Sequence, residues 1–438
     1  MSLIAFDLTR LFLGPLSASP RGIDRVDYLL ARHFFPDGAS AHLGVLATPW
    51  GVRAFPAARV MRGLDHLARL WGEREDAHDH DRLNWLAQRL SGKGVDPFRR
   101  IAGRLGRRDK IARMLRHLRA TGIAGGHSVV HALPRGAMYL NTGQISLAVP
   151  GFFRWLDHRP DVTAAFMLHD TIPLDMPEKV SPSSVAHHAR MIRTTARHAH
   201  ALITTTRHAN RQVMRALARE GRERLPILVR GLPLSESFSY GGRAPEWLAR
   251  HSYFVVCSTI EPRKNHALLF EVWRQLVERD AKAAPHLVVV GGRGWKSDEI
   301  LRRVDTPRLH ARIHHVSGLS TPALGRLMQG AQALLSPSLA EGFGLPVLEA
   351  GMLGVPVFAS DIPSHREIVR PGMQLLPPHD AQAWLDAIVR HRRPENRLPE
   401  AMVPPADRDE KAYARDIQAF LQHCASERLA GRLSPSLH

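Results

Sequence analysis

Cysteine is almost absent from this chain, and the two that occur, Cys257 and Cys424, match no metal or redox spacing. That leaves no basis for a disulfide scaffold and suits a reducing cytosol. Long apolar runs are missing too. No segment approaches the roughly 20 residues that cross a bilayer as a helix. The opening stretch Met1–Arg10 does not read as a signal peptide, because Asp7 and Arg10 interrupt its apolar run and no charge precedes it. Glycine-rich nucleotide motifs are also lacking. Gly291-Gly292-Arg293-Gly294-Trp295-Lys296 fails the G-x-G-x-x-G pattern and has no P-loop spacing.

Negative charge is in short supply. There are 41 acidic residues against 60 Lys and Arg, which gives a formal charge of +19. Such an excess fits nucleic acid, an anionic membrane surface or an anionic substrate. It also fits a solvated surface in a chain rich throughout in Arg, Ala, Leu and His. No nucleic-acid-binding motif is visible, so no nucleic-acid partner is expected. The 438 residues suffice for two ordinary domains, and a hydrophobic content of 44% is that of a globular protein.

The second half alternates strand with helix. Apolar runs at Tyr253–Ile260, His286–Gly292, Arg312–Gly318, Ala331–Ser336, Val355–Ser360 and Met373–Pro377 predict strands. Helix-period stretches lie between most of them, at His266–Arg279, Lys296–Asp305, Thr321–Gly330, Pro346–Leu353 and Ser364–Val369, and Asp380–Arg392 follows the last. This order predicts a parallel, doubly wound sheet with ligands outside the carboxyl ends of its strands. The first half repeats the scheme with interruptions. Leu3–Leu8, Ala41–Ala47, Ser128–Leu133, Ala164–His169, Ala201–Thr206 and Ile227–Gly231 predict strands, and Gly22–His33, Ser184–His200 and Arg207–Glu220 predict helices. The expected division is 1–234 for the first domain, 235–250 for a linker, 251–393 for the second domain, and 394–438 for a polar segment and a final helix at Glu410–Leu429. An insertion, about 53–121, separates two strands of the first domain. Between Arg82 and Arg119 it carries twelve basic residues against Asp96 and Asp109, with Ile101, Leu105, Ala112, Leu115 and Leu118 at helical spacing. Such a helix can lie in an anionic membrane interface or tuck a narrow stripe onto its own domain.

Two loops of the second half carry chemistry. Ser258-Thr259-Ile260-Glu261-Pro262-Arg263-Lys264-Asn265 follows a strand, so Arg263 and Lys264 would face a ligand at the strand ends. A guanidinium fork and an ammonium point charge suit a diphosphate. Ser336-Pro337-Ser338-Leu339-Ala340-Glu341-Gly342-Phe343-Gly344-Leu345-Pro346-Val347-Leu348-Glu349 runs from a strand through a glycine loop into a helix that Pro346 can start. Free N–H groups at such a start form an anion site, here with a carboxylate on either side. Gly344 allows close backbone approach because it has no side chain.

This second loop resembles the E-x7-E signature of retaining, nucleotide-sugar-dependent glycosyltransferases of family 4, and Glu-Pro-Arg-Lys-Asn resembles that family's phosphate loop. The resemblance covers most of the chain apart from the insertion. It implies the α/β GT-B fold, with two Rossmann-like domains facing each other across a cleft and a C-terminal helix that packs back on the first domain. It implies that Arg263 and Lys264 hold the donor diphosphate and that Glu349, read as a first-turn glutamate, accepts hydrogen bonds from the ribose. Glu341 would orient the sugar and stabilise positive charge, with a covalent or a front-face route both open. Backbone N–H groups of Phe343, Gly344 and Leu345 would approach sugar and phosphate. His169, in Phe166-Met167-Leu168-His169-Asp170, would lie in the cleft beside the sugar, although with 26 histidines in the chain a packing role competes. Asp170 at that strand end fits a turn cap equally well. Gly22 and Arg25, in Gly22-Ile23-Asp24-Arg25-Val26, would face acceptor and donor phosphates, or Arg25 would form a salt bridge. Ser258 departs from the pattern, since many members carry an arginine near it.

These likenesses point toward bacterial exopolysaccharide and O-antigen mannosyltransferases. They imply transfer of a hexose, mannose from GDP-mannose, to a glycan or lipid-linked glycan in surface polysaccharide synthesis. The expected location is cytoplasmic and peripheral on the inner face of the membrane. No cofactor and no metal are expected, since basic residues and helix dipoles serve the diphosphate. Ala77-His78-Asp79-His80-Asp81 looks like a metal cluster, but it sits in a charged, loop-like stretch without partner spacing. A GT-B epimerase or phosphorylase, or a basic membrane- or nucleic-acid-binding protein with a degenerate sugar site, remain the competing classes.

Overall fold

A computed structural model describes residues 3–13, 22–48, 50–72, 75–93, 125–235, 244–304, 306–393, 398–400 and 409–431, with isolated positions at 112, 115, 116, 119, 122, 238 and 395. Most of the arginine-rich stretch from 99 to 119 and part of the expected linker lie outside the described residues.

The first sheet is built from β1 (Ile4–Asp7), β2 (Leu43–Thr48), β3 (Gly51–Pro56), β4 (His127–Ser128), β5 (Met138–Asn141), β6 (Thr163–Leu168), β7 (Ala201–Thr204) and β8 (Ile227–Val229), in the spatial order β4-β3-β2-β1-β5-β6-β7-β8. From β2 through β8 neighbours pair in parallel, while β3 and β4 are antiparallel additions at one edge. The second sheet contains β9 (Tyr253–Cys257), β10 (His286–Val290), β11 (Ile313–Val316), β12 (Leu334–Ser336), β13 (Val357–Ser360) and β14 (Met373–Leu376), in the order β11-β10-β9-β12-β13-β14, parallel throughout. A parallel strand flanked by helices is covered on both faces and must be apolar along its whole length. β6 and β10 meet that demand, with every residue buried. That is why continuous apolar runs located most strands from sequence.

The strand order reverses at two places, between β1 and β5 and between β9 and β12. Loops leaving neighbouring strands in opposite directions open a crevice at such a switch point. The Arg263–Lys264 loop leaves β9 and the Glu341 loop leaves β12, so the topology alone makes them neighbours.

Three readings of the first half need correction. The expected strand Ser128–Leu133 is a two-residue strand followed by a helical turn, Val129–Ala132. A short apolar run carries no period of its own, and here only Ser128 and His127 find ladder partners, in Arg53 and Ala54. The start of the expected insertion is a full strand of the sheet, β3, followed by the helix Ala57–Gly72. The stretch read as a loop around Asp79 is the helix Glu75–Leu90.

That helix belongs by sequence to the first domain and packs on the second. Arg82 Nη1 donates to the carbonyl of Gly318 at 2.6 Å, Arg89 Nη2 to that of His310 at 2.7 Å, and Asp79 Oδ1 accepts from the N–H of Ser320 at 3.1 Å. The helix Glu410–Leu429 crosses the other way, from the end of the second domain to the first. It buries Tyr413, Ala414, Ile417, Leu421, Cys424 and Ala425, a stripe at helical spacing. Gln418 meets His33 at 2.7 Å, Asp416 pairs with Arg230 at 2.9 Å, and Arg428 donates to the carbonyls of Val162, at 2.7 Å, and Pro160. One apolar core therefore runs from a face of the first sheet, through Leu232, Leu319 and Phe343, to a face of the second. The outer faces of the two sheets have cores of their own.

Candidate functional site

The β9 loop is shaped before any ligand is considered. Glu261 is extended, Pro262–Lys264 make one 3-10 turn, and Asn265 takes the left-handed region at φ 55°. Asn265 Nδ2 holds that geometry by donating to the carbonyls of Pro337, at 3.1 Å, and Pro378, at 2.8 Å. The N–H of Leu339 donates to the carbonyl of Arg263 at 2.9 Å, which ties the β9 loop to the β12 loop. The two basic residues are thus presented on a rigid frame.

Between them lies Glu341. Its Oε1 accepts from Lys264 Nζ at 2.5 Å and from Ser338 Oγ at 2.6 Å, and its Oε2 from Arg263 Nη1 at 3.3 Å. Arg263 also donates to the carbonyl of Ala340 at 2.8 Å and to Glu261 at 2.8 Å. Burial pushes the Glu341 carboxyl up, but Lys264, Arg263 and His365 together outweigh it and hold it well below the usual carboxylate range. Burial likewise depresses the Lys264 ammonium, and Glu341 opposes that. For Arg263 the surrounding carboxylates overcome the burial cost and raise its pKa. The group is an ionised cluster in which Arg263 and Lys264 are balanced by Glu341 and Glu261.

Gly344 sits at φ 101° and starts the helix Leu345–Met352, with Pro346 in its first turn. A side chain at 344 would also meet Ile368 at 3.0 Å and His365 at 3.1 Å. The first N–H groups of this helix have no acceptor within it. Glu349 is not in the first turn, as the sequence reading had it, but in the second, where the helix end exerts little pull. It is buried, and its partner is Arg25 of the first domain, which binds Oε1 through Nη2.

The first domain presses its own residues onto this loop. A side chain at Gly22 would lie 2.6 Å from Leu345 Cδ1, and one at Gly342 would meet Asp170 Oδ2 at 2.7 Å and the His169 carbonyl at 2.9 Å. The Gly342 carbonyl accepts from Thr205 Oγ1 at 3.1 Å and from Thr206 Oγ1 at 3.3 Å. Phe343 turns its ring against Gly231, into the contact between the domains. Asp170 Oδ1 accepts from the N–H of Ile172 at 3.0 Å and so forms a turn cap. His169 is buried, and among the described residues neither ring nitrogen has a well-aligned hydrogen-bond partner, the Thr142 backbone lying beside the ring. Burial depresses it to about 4, with Asp170 opposing and Arg10 reinforcing. A neutral imidazole offers one donor and one acceptor.

Arg263, Lys264 and Glu341 therefore form one cluster, and Arg25 and Glu349 form a pair beside it. Gly22, His169, Phe343 and Leu345 line the contact between the two domains, while Gly344 packs on His365 and Ile368 within the second. Several contributors escaped the sequence reading. Ser338 fixes Glu341. Glu367 accepts from the N–H groups of Arg207, at 2.8 Å, and His208, at 2.7 Å, and so caps a first-domain helix from the second domain. Asp27 is buried beside Arg10 and Thr142, and burial pushes its carboxyl up to about 7. Asp27 lies three residues after Asp24 on the face of an amphipathic helix, and that spacing was its only signal. Among the described residues no three His, Cys, Asp or Glu side chains converge as a metal site. Asp79 instead serves the second domain.

Residues 246–397 match the family model for Glycosyl transferases group 1. An Escherichia coli O-antigen chain mannosyltransferase B is 33% identical over 144 residues, 33% of this chain and 36% of the relative. The O-antigen chain mannosyltransferase RfbU of Salmonella typhimurium is 30% identical over 142 residues, 32% of this chain and 38% of the relative. The chain thus spans little more than a third of the length of either of these two relatives. Among solved structures, Anabaena HepE in complex with UDP-glucose superposes with a TM-score of 0.56 at 15% identity, over 98% of this chain and 100% of that one. An Escherichia coli trehalose-6-phosphate structure bound with UDP-2-fluoro glucose gives 0.53 at 11% identity, over 99% and 100%. These two likenesses concern the fold. The chain has the GT-B fold, and its residues 246–397 are a glycosyl transferases group 1 domain.

Proposed function

We propose that the protein transfers a hexose, mannose from GDP-mannose, from a nucleoside diphosphate sugar to a hydroxyl of a glycan acceptor, with retention of configuration, in the assembly of a bacterial surface polysaccharide. The observation that carries this reading is the Arg263–Glu341–Lys264 cluster at the β9–β12 switch point, beside the start of the helix that holds Glu349. Similarity to mannosyltransferases in the second domain supports the choice of sugar.

In this mechanism the bond from the anomeric carbon to the diphosphate breaks as the acceptor oxygen bonds to that carbon. Negative charge grows on the leaving phosphate, and in this reading Arg263 and Lys264 stabilise it electrostatically. Their hold on Glu341 passes to the phosphate in part, which frees that carboxylate to face the positive charge developing on the sugar. Three donors already grip Glu341 and lower its basicity. That suits electrostatic stabilisation better than nucleophilic attack, and it favours a front-face route in which the leaving phosphate takes the acceptor proton. Neutral His169 supplies a donor and an acceptor to sugar hydroxyls. Glu349 receives the ribose hydroxyls.

The acceptor is a glycan, lipid-linked in the proposed setting, and the arginine-rich segment from 99 to 119 would hold the protein at an anionic membrane surface. Flotation with anionic vesicles, lost as salt rises, tests that arm. The central test is nucleoside diphosphate release from a panel of nucleotide sugars. Release from one donor, raised by a mannan or O-antigen oligosaccharide, is expected. No release from any of them sinks the reading.

A further inference from the structure

Arg25 stands on the helix Gly22–Phe34 of the first domain, yet its guanidinium lies in a slot of residues that follow that domain. Nη2 binds Glu349 Oε1, Nη1 donates to Thr321 Oγ1 at 3.3 Å, and the guanidinium carbon sits 4.9 Å from the centre of the Phe238 ring. A carboxylate, a hydroxyl and an aromatic face are three complementary partners for one planar cation. The side chain is 18% exposed and that of Glu349 only 4%. An isolated surface ion pair has none of these supports.

The charges around Glu349 are few. Burial pushes its carboxyl above the ordinary range, and Arg25 is the charge that opposes this. Cys257, at the end of β9, also feels Glu349, but burial holds its thiol up to about 12, so it is neutral. Lys264 lies further round the same crevice and is engaged by Glu341. The carboxylate of the second domain is thus balanced from the first. Ionised, the carboxylate offers an acceptor on each oxygen to the two hydroxyls of a ribose, whereas protonation turns one oxygen into an O–H donor. Arg25 reaches it only while Gly22 abuts Leu345 and Gly342 abuts Asp170, that is, while the domains are apposed.

We propose that Arg25 is a positioning residue that completes the nucleotide site from the opposite domain, fixing Glu349 by one oxygen and making ribose recognition conditional on domain closure. This rests on the reading of Glu349 as the ribose carboxylate. A structural salt bridge would tie the domains together without reporting on the nucleotide.

The test is calorimetry with the nucleoside diphosphate that the release assay identifies, over a series of pH values, since a buried carboxyl that loses its cation titrates higher still. Arg25→Met keeps the length and removes the charge. It should weaken binding roughly 10-fold at neutral pH, the loss of one charge-assisted contact, and the affinity should recover as pH rises and Glu349 ionises unaided. Wild type should change little over that range. Arg25→Lys should restore most of the affinity, and Glu349→Gln on the Arg25→Met background should flatten the profile. Unchanged or tighter binding by Arg25→Met overturns the proposal, as does weaker binding with a flat pH profile, which would place Arg25 on the nucleotide itself. Glu349→Gln in the wild-type background separates the two layers. If it binds nucleotide normally, the donor-site reading falls. If it binds weakly while Arg25→Met binds normally, only the present inference falls.

Discussion

The Lys264 ammonium and the Glu341 carboxylate meet at 2.5 Å, although 77 residues separate them in the chain. They meet because β9 and β12 are neighbours and their loops are tied by the Leu339–Arg263 hydrogen bond. Arg263→Ala and Lys264→Ala should each weaken nucleoside diphosphate binding by about 1.5–3 kcal/mol, the range for a hydrogen bond to a charged group. Wild-type affinity in both, by calorimetry, would remove them from the diphosphate site.

Glu341→Gln keeps the shape and removes the charge. If Glu341 acts on the charge that develops during transfer, turnover should fall more than donor affinity. The product's anomeric configuration, read by NMR, should match the donor's. Inversion, or a loss confined to affinity, contradicts the proposed role.

The helix Glu75–Leu90 should matter to stability because it joins the first domain to the second. Arg82→Ala strips the carbonyl of Gly318 of a donor and leaves Asp79 buried without its neighbouring cation, 3.7 Å away. The expected loss is about 1–3 kcal/mol, the cost of a buried polar group left unsatisfied. Chemical denaturation should show an earlier midpoint. An unchanged midpoint would mean that this clasp adds nothing.

Acid should destabilise the fold well above the range of ordinary carboxylates. Burial depresses His200, His266 and His286 to about 3, against about 6.5 in an unfolded chain. Between those values the unfolded state binds more protons, so stability is complete above about pH 6.5 and declines as pH falls toward the folded values. Glu341, held low by its cations, works in the same direction. Asp27, raised to about 7, works the opposite way and costs stability as pH rises through that value. Glu349, raised by burial, works with Asp27, but the three histidines outnumber the two, so the melting temperature should fall steadily from about pH 6.5 to about pH 4. A flat profile across that window would refute the burial argument.

What the sequence by itself determined is local. Buried parallel strands must be apolar throughout, so the strands of the second half stand out within a few residues of their places. Helix-period stripes located His266–Arg279 and Glu410–Leu429 at both ends. The alternation of the two forms implied a doubly wound sheet, and the loops after β9 and β12 announced themselves by glycine, proline and paired charges. Short or edge elements such as β3, β4 and β5 left no period to read.

Only the tertiary structure decided which groups share a charge. Arg25 with Glu349, Asp79 with Ser320 and Glu367 with Arg207 are pairs between elements distant in the chain, and each could have been an ordinary solvated side chain. A charge on a helix face has no sequence signature for its partner, because Coulomb attraction depends on separation in space and on burial, not on position along the chain. Those two quantities exist only once the sheets have formed and the domains have closed on each other.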